Sequence, residues 1–217
     1  MNSDNHTAVN APADGVIKFD LSHQTGSLPT SASTASIFQW FGICRALDLI
    51  GQHSDRYEGA AYGNISQRAS EGFLITGTQT GGHNSIGDGD IAWVTAFDTR
   101  ANQVISKGPS RPSSESLSHG QVYALLPQVR FVIHVHSPLI WHRTGALGLP
   151  GTHPDAAYGT PEMAAEVERL LNTRETAEQG IFTMGGHEDG IVTFGATPEQ
   201  AGHRLLQLYR RACELRP

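Results

Sequence analysis

Two histidines stand one residue apart in the segment 130–138, which reads RFVIHVHSP. The other residues of this run are mostly β-branched or aromatic, and a proline ends it, which predicts a strand with an abrupt stop. Because side chains alternate between the two faces of a strand, His134 and His136 share one face. Two imidazoles placed in this way can bind one divalent cation, as in tetrahedral zinc sites. The alternative is a pair of hydrogen-bonded core histidines, since short motifs often match by accident.

Two further segments carry side chains that could complete such a site. His187 lies in a glycine-rich turn between two predicted strands, where it could be a third ligand or an exposed turn residue. Glu115 lies near the start of a predicted helix, where its carboxylate could move a proton or simply complement the helix dipole. Ser113 and Ser114 precede it and could cap that helix or bind an anion at its N-terminus.

The remaining polar candidates lie in loops and turns. Asn64 follows a glycine and is a turn residue or a ligand-binding group. Thr78 and Gln79, in the loop LITGTQTGG, could fill the loop or bind a ligand. Glu188 and Asp189 follow His187 and could solvate the turn or support a metal ligand from a second layer.

The elements that must position these residues follow from periodicity and turn signals. Residues 1–32 are rich in Ser, Thr, Asn, Ala and Pro and are predicted to form a mobile or surface-draped arm, while residues 33–217 form one domain. Four helices are predicted near residues 37–50, 114–126, 160–171 and 197–215. Short strands are predicted at AYGNIS, GFLIT, IAWVTAFD, QVISKG, RFVIHVH, GIFTM and IVTFG. This combination predicts an α/β domain whose closely spaced strands form antiparallel meanders.

The composition excludes several classes of function. The formal charge of −6, without a basic stripe, argues against a nucleic-acid partner. Cys44 and Cys213 lack CxxC spacing and fit a reducing compartment. No apolar run approaches the roughly 18 residues of a membrane span, and the N-terminus lacks the pattern of a secretory signal. We therefore expect a cytoplasmic protein with a small-molecule substrate and neither a nucleic-acid nor a membrane partner.

The order of the motifs is more specific than any one of them. GNIS, then LITGT, then PSSE, then HVH, then a turn rich in histidine and glycine resembles the class II aldolase/adducin family over about residues 34–214. The resemblance implies a three-layer α/β/α sandwich with a largely antiparallel central sheet. It also implies a homotetramer with active sites at the subunit interfaces.

The same resemblance implies roles for individual residues. Zinc, or another divalent cation such as manganese, cobalt or iron, would be held by His134, His136 and His187. Glu115 would be the acid/base. The substrate phosphate pocket would be lined by Asn64, Thr78, Gln79, Ser113 and Ser114.

The reaction implied by the family is that of a lyase. We expect cleavage of a carbon–carbon bond in a small hydroxy-carbonyl compound through a metal-stabilised enediolate, with Glu115 moving the proton. A decarboxylase or an epimerase of the same family remains open. A non-catalytic interaction domain like the adducin head is a third alternative, although that branch loses the metal histidines that are present here.

Two departures from the family pattern bear on the substrate. Gln79 stands where the aldolases usually carry glycine, and its uncharged amide can bind a carboxylate or hydroxyl but cannot balance a phosphate dianion. In the turn GGHEDG, Glu188 and Asp189 separate His187 from the next glycine, so this turn must differ from the usual one. The predicted substrate is therefore a small hydroxy-carbonyl compound or sugar acid for which a phosphate group is optional.

Overall fold

The computed structural model describes residues 16–215. Within that range the strands are β1 (Asp20–Thr25), β2 (Gly51–Gln52), β3 (Ala61–Tyr62), β4 (Asn64–Arg68), β5 (Phe73–Thr76), β6 (Ile91–Asp98), β7 (Gln103–Gly108), β8 (Phe131–His136), β9 (Ile181–Thr183) and β10 (Gly190–Gly195). The α-helices are α1 (Ala35–Ala46), α2 (Ser116–Leu125), α3 (Pro138–Trp141), α4 (Thr144–Leu147), α5 (Pro161–Leu171), α6 (Arg174–Gln179) and α7 (Pro198–Glu214). None of these helices is long and apolar enough to cross a bilayer.

Eight of the strands form one sheet in the order β1-β7-β6-β5-β4-β8-β10-β9. Every neighbouring pair is antiparallel except β1 and β7, which are parallel. Strands β2 and β3 form a separate two-stranded ladder. The predicted antiparallel meander is confirmed over β4 to β7, because strands that are consecutive in the chain are antiparallel neighbours. Short turns join β4 to β5 and β6 to β7, whereas the longer loop 77–90 joins β5 to β6.

Strand β8 lies between β4 and β10 and is buried along its whole length. Val132 belongs to the hydrophobic cluster on the same side as the two histidines. Ile133 and Val135 belong to the cluster on the opposite side. The alternation predicted from the sequence therefore places His134 and His136 on one face.

Helices cover both faces of the sheet. Leu117 of α2 and Met163 of α5 are buried in the cluster on the histidine face. Phe41 of α1 and Leu205 of α7 are buried in the cluster on the other face. The predicted three-layer α/β/α sandwich is confirmed, because each face of the sheet buries its apolar side chains beneath two helices.

Most of the predicted helix boundaries agree with the structure. Thr160 and Thr197 are N-caps whose hydroxyls accept from the backbone N–H of Met163 and Gln200. Helix α1 ends four residues before the predicted stop, and Asp48 just beyond it has a left-handed φ of 56°. The short helices α3, α4 and α6 were not predicted, because four to six residues are too few to establish a 3.6-residue period.

The N-terminal segment differs in part from the predicted arm. Its first fifteen residues lie outside the described range. Asp20–Thr25 form the edge strand β1, and Phe19 just before it is buried in the core. The segment DLSHQT lacks the alternation of apolar and polar residues that predicts a strand. Strand β1 is held by backbone hydrogen bonds to β7, and most of its side chains are exposed or half-buried. The domain boundary at residue 32 stays a prediction.

Candidate metal centre

The C-terminal end of β8 and one tight turn bring three imidazoles together. His134 and His136 are 1% and 2% exposed, and His187, in the turn between β9 and β10, is 5% exposed. Gly190 at the start of β10 pairs with His136, which sets the turn against the end of β8. A side chain at Gly186 would collide with the backbone carbonyl of Ala156, so the glycines before His187 allow the turn to pack tightly.

The geometry of the three histidines suits a cation. One nitrogen from each of them lies within 4.8 Å of the other two. His136 Nε2 and His187 Nε2 are 3.1 Å apart. Zinc–nitrogen bonds of about 2.0–2.1 Å in a tetrahedral arrangement place two ligand nitrogens about 3.3 Å apart. The observed separation is therefore close to that of two ligands on one ion.

Burial keeps these histidines in the form that binds metal. It lowers the pKa of His134 from 6.5 to about 4. Burial, together with the neighbouring imidazoles, lowers the pKa of His136 and His187 well below the usual value. His134 Nδ1 donates to the carbonyl oxygen of Ile191 over 3.2 Å, which leaves a lone pair on its Nε2. The cluster can therefore hold a divalent cation, and nitrogen ligation suits zinc, cobalt or iron.

Glu115 reaches the cluster from the start of α2. It is the residue that precedes the first turn of this helix, and its carboxylate is 3% exposed. Its Oε1 lies 3.7 Å from His187 Nε2, and its Oε2 accepts from the Ser118 hydroxyl over 3.3 Å. A carboxylate in this position touches the same pocket as the imidazoles and can exchange a proton with a ligand there.

Three of the five predicted substrate residues line the same pocket. Asn64, Ser113 and Ser114 share its wall with Glu115 and the three histidines. Asn64 pairs with His134 across β4 and β8, so the two side chains lie on one face. The Asn64 Oδ1 atom is buried and has no hydrogen-bond partner among residues 16–215. A buried amide oxygen without a partner in the protein can accept a hydrogen bond from a ligand in the pocket.

The other two predicted substrate residues, Thr78 and Gln79, are not among those that line this pocket. Gln79 has a left-handed φ of 63°, a conformation that glycine adopts without strain. Its Oε1 accepts from the backbone N–H of Ala61 over 3.0 Å, and Ala61 lines the pocket. The Gln79 amide thus supports the pocket wall by binding the backbone of Ala61.

Two tyrosines to which the sequence assigned no role pack against the three histidines. The Tyr57 ring lies edge-on to His136, with 4.5 Å between ring centroids, and the Tyr158 ring lies 4.6 Å from His187. Lys18 places its ammonium 3.5 Å above the Tyr158 ring. Both tyrosines come from loops without a periodic pattern, so no local signal could have identified them.

The lowered pKa of His134 predicts acid sensitivity in the metal-free protein. Below pH 6.5 the unfolded chain protonates this histidine, whereas the folded chain does so only near pH 4. Stability is therefore lost as the pH falls from 6.5 to about 4, by on the order of 3 kcal/mol for this residue alone. Urea unfolding of chelator-treated protein at about pH 7.5 and about pH 4.5 measures the loss.

A matched pair of variants isolates the contribution of His134. Replacing His134 by Gln should reduce the pH dependence of the unfolding free energy but not remove it, because burial also lowers the pKa of His136 and His187. Replacing the exposed His142 by Gln should leave that dependence unchanged. Equal pH dependence in both variants would contradict the assignment.

Comparison with protein families gives one match over most of the chain. The profile described as Class II Aldolase and Adducin N-terminal domain matches residues 43–216. A methylthioribulose-1-phosphate dehydratase of Gluconacetobacter diazotrophicus is 39% identical over 100 residues, which cover 45% of this chain and 46% of the relative. A 5-methylthioribulose-1-phosphate/5-deoxyribulose-1-phosphate aldolase of Rhodospirillum rubrum is 26% identical over 155 residues, 64% of this chain and 63% of the relative. The matched segments thus span less than two thirds of either relative.

Solved structures resemble the fold over a larger share of the chain. The L-fuculose-1-phosphate aldolase of Thermus thermophilus superposes with a TM-score of 0.61 at 20% identity, covering 82% of this chain and 90% of that one. A sugar-phosphate aldolase of Thermotoga maritima gives a TM-score of 0.59 at 15% identity, covering 83% and 95%. At such identities the likeness bears on the fold alone.

Proposed function

The chain belongs to the class II aldolase/adducin family, and on that premise we propose that it is a divalent-metal-dependent lyase acting on a small phosphorylated keto sugar. The observation that carries the proposal is the convergence of three buried imidazoles and the Glu115 carboxylate on one pocket. An enzyme is further supported by the curated relatives, whose names are those of lyases. A purely structural domain has no need of such a buried polar cluster, which is costly to fold.

Each residue of the pocket has a distinct role in this proposal. A divalent cation held by His134, His136 and His187 would act as a Lewis acid that polarises the substrate carbonyl. Glu115 takes up or returns the proton that moves when the substrate bond breaks, and its position at a helix start keeps it buried beside the cluster. Asn64 accepts from or donates to a substrate hydroxyl through its amide.

The start of α2 suits the phosphate end of a substrate. Ser113 and Ser114 line the pocket just before the N-terminus of this ten-residue helix, the positive end of its dipole. Hydroxyls and helix N-terminal amides bind phosphate without a neighbouring cation. The sequence argument that a phosphate group is optional depended on the Gln79 amide, but the Oε1 of that amide accepts from the backbone N–H of Ala61. The relatives named above carry phosphorylated sugars in their names, which also supports this choice.

Two reactions are compatible with this pocket. The sequence resemblance predicts retro-aldol cleavage of a carbon–carbon bond, the activity in the name of the Rhodospirillum rubrum relative. Loss of water from the same kind of substrate is the second candidate, favoured by the 39% identity to a dehydratase. Both need a polarised carbonyl and one group that moves a proton, so the residue assignments are the same.

Product analysis distinguishes the two reactions. The metal-loaded protein is incubated with methylthioribulose 1-phosphate and with the unphosphorylated sugar, and the products are identified by mass spectrometry. Retro-aldol cleavage yields two carbonyl fragments, whereas dehydration yields one product lighter by a molecule of water. We expect one of these outcomes, abolished by a chelator and much faster with the phosphorylated sugar. Equal rates for the two sugars would favour the sequence prediction, in which a phosphate group is optional, and no turnover of any hydroxy-carbonyl compound would contradict a lyase.

Zinc as the native metal, the homotetramer and the cytoplasmic location stay predictions. A tetramer would be consistent with a pocket whose described lining contains no lysine or arginine to balance a phosphate group. The remaining charge could then come from the facing subunit.

A further inference from the structure

Asp189 has a buried carboxylate near the three histidines. None of the roles assigned above uses this carboxylate. It is 5% exposed, and its Oδ2 accepts from the Tyr57 hydroxyl over 2.6 Å. Its Oδ1 is buried and has no hydrogen-bond partner in the described range. A buried carboxylate with an unsatisfied oxygen is unfavourable unless another group uses it.

His136 has a buried nitrogen without a hydrogen-bond partner, which complements the unpaired oxygen of Asp189. Its Nε2 faces His187 at 3.1 Å, on the side where a cation would bind. Its Nδ1 is also buried and has no hydrogen-bond partner among residues 16–215. A neutral imidazole that offers Nε2 to a metal carries its proton on Nδ1, and that N–H needs an acceptor.

The backbone brings Asp189 and His136 next to each other. Gly190, which follows Asp189, pairs with His136 in the sheet. The N–H of Ser137, which follows His136, donates to the carbonyl oxygen of Asp189 over 2.8 Å. Tyr57 contacts both residues, since its ring packs on His136 and its hydroxyl binds Asp189.

The orientation of the Tyr57 hydroxyl is fixed from its other side. Arg56 Nη2 donates to the Tyr57 oxygen over 3.1 Å, so the phenolic proton is directed to Asp189. Arg56 is itself held by Asp48 over 3.0 Å. Tyr57 and Asp189 have φ values of 49° and 62°, which are unfavourable for an aromatic residue in particular. Strained backbone at both partners of one hydrogen bond indicates that the surrounding structure enforces the contact.

We propose, on the basis of the metal centre proposed above, that Asp189, oriented by Tyr57, is the carboxylate partner of the His136 imidazole. The His136 Nδ1–H donates to Asp189 Oδ1 through one ordered water, since the two buried atoms are not hydrogen-bonded to each other directly. This contact fixes the tautomer and the ring position of His136 and strengthens it as a ligand. Asp189 and Tyr57 are thus positioning residues for the metal site, and neither one touches the substrate in this proposal.

Cobalt binding tests this role without relying on activity. Co²⁺ affinity is measured by competition with a chelator, and the visible absorption spectrum reports the geometry of the bound ion. Asp189→Asn keeps the size of the side chain and tolerates left-handed backbone, but removes the charge. We expect cobalt affinity to fall about 10- to 100-fold and the spectrum to change. Tyr57→Phe, which removes only one hydroxyl, should give a smaller loss in the same direction.

Glu188→Gln is the matched control, because it makes the same charge change at the adjacent, exposed position. It should leave cobalt affinity and the spectrum unchanged. If the wild-type protein binds no cobalt, both the metal centre and the role of Asp189 are overturned. If the wild type binds cobalt and the Asp189→Asn and Tyr57→Phe proteins bind it with unchanged affinity and spectrum, only the role of Asp189 is overturned. If these two variants change only the midpoint of unfolding and not the binding of cobalt, the role of Asp189 is also contradicted.

Discussion

Replacing Glu115 by Gln is expected to lower turnover by roughly 10²-fold or more while the metal remains bound. The amide has nearly the same shape as the carboxylate, so the start of α2 should be preserved. It cannot take up a proton, however, and a buried pocket offers no solvent base in its place. Steady-state kinetics on the substrate found by product analysis, together with elemental analysis of the same sample, measure both parts of this expectation.

A second glutamate at a helix start provides the control. Glu162 stands in the first turn of α5 and is exposed. Glu162→Gln should have wild-type turnover, because this carboxylate lies away from the pocket. Near-normal turnover in Glu115→Gln would assign proton transfer to another group. Loss of metal along with activity would mean that Glu115 acts mainly as a ligand.

Replacing His136 by Ala is expected to reduce bound metal to background. Three imidazoles hold a cation much more tightly than two, because each ligand adds a bond without a further loss of translational freedom. His134→Ala should have the same effect, since both histidines project from the same face of β8. Metal content after dialysis against a buffer with the cation, measured by elemental analysis, gives the result directly.

The exposed His203 on α7 offers a control for this pair. His203→Ala should retain the metal, and circular dichroism should show that all three variants remain folded. Full metal occupancy in both His134→Ala and His136→Ala would mean that the cation binds elsewhere.

The sequence was most informative where side chains repeat at a fixed period between sharp turn signals. Strand β8 is an example, since its β-branched run and terminal proline define both its limits and the common face of His134 and His136. Glu115 was also placed correctly at the start of a helix, because serines and an acidic residue are typical of a first turn. These features depend on local chemistry, which a single sequence contains.

Contacts between distant loops could not be predicted in the same way. Tyr57 and Asp189 are 132 positions apart, and no local pattern links them. The left-handed backbone of Gln79 was missed because such a conformation is usually the property of glycine. Strand β1 was missed because it is held mainly by backbone hydrogen bonds, which do not depend on the side chains. In each case the tertiary structure overrides the local preference.

The metal content of the wild-type protein tests the central claim most directly. The protein is purified without a chelator, dialysed in turn against zinc, manganese, cobalt and ferrous iron, freed of excess cation, and then analysed for bound metal. We expect about one divalent ion per chain with at least one of these metals, bound through the imidazoles of His134, His136 and His187. A protein that retains none of these metals at a significant fraction of one ion per chain would contradict a metal-dependent lyase.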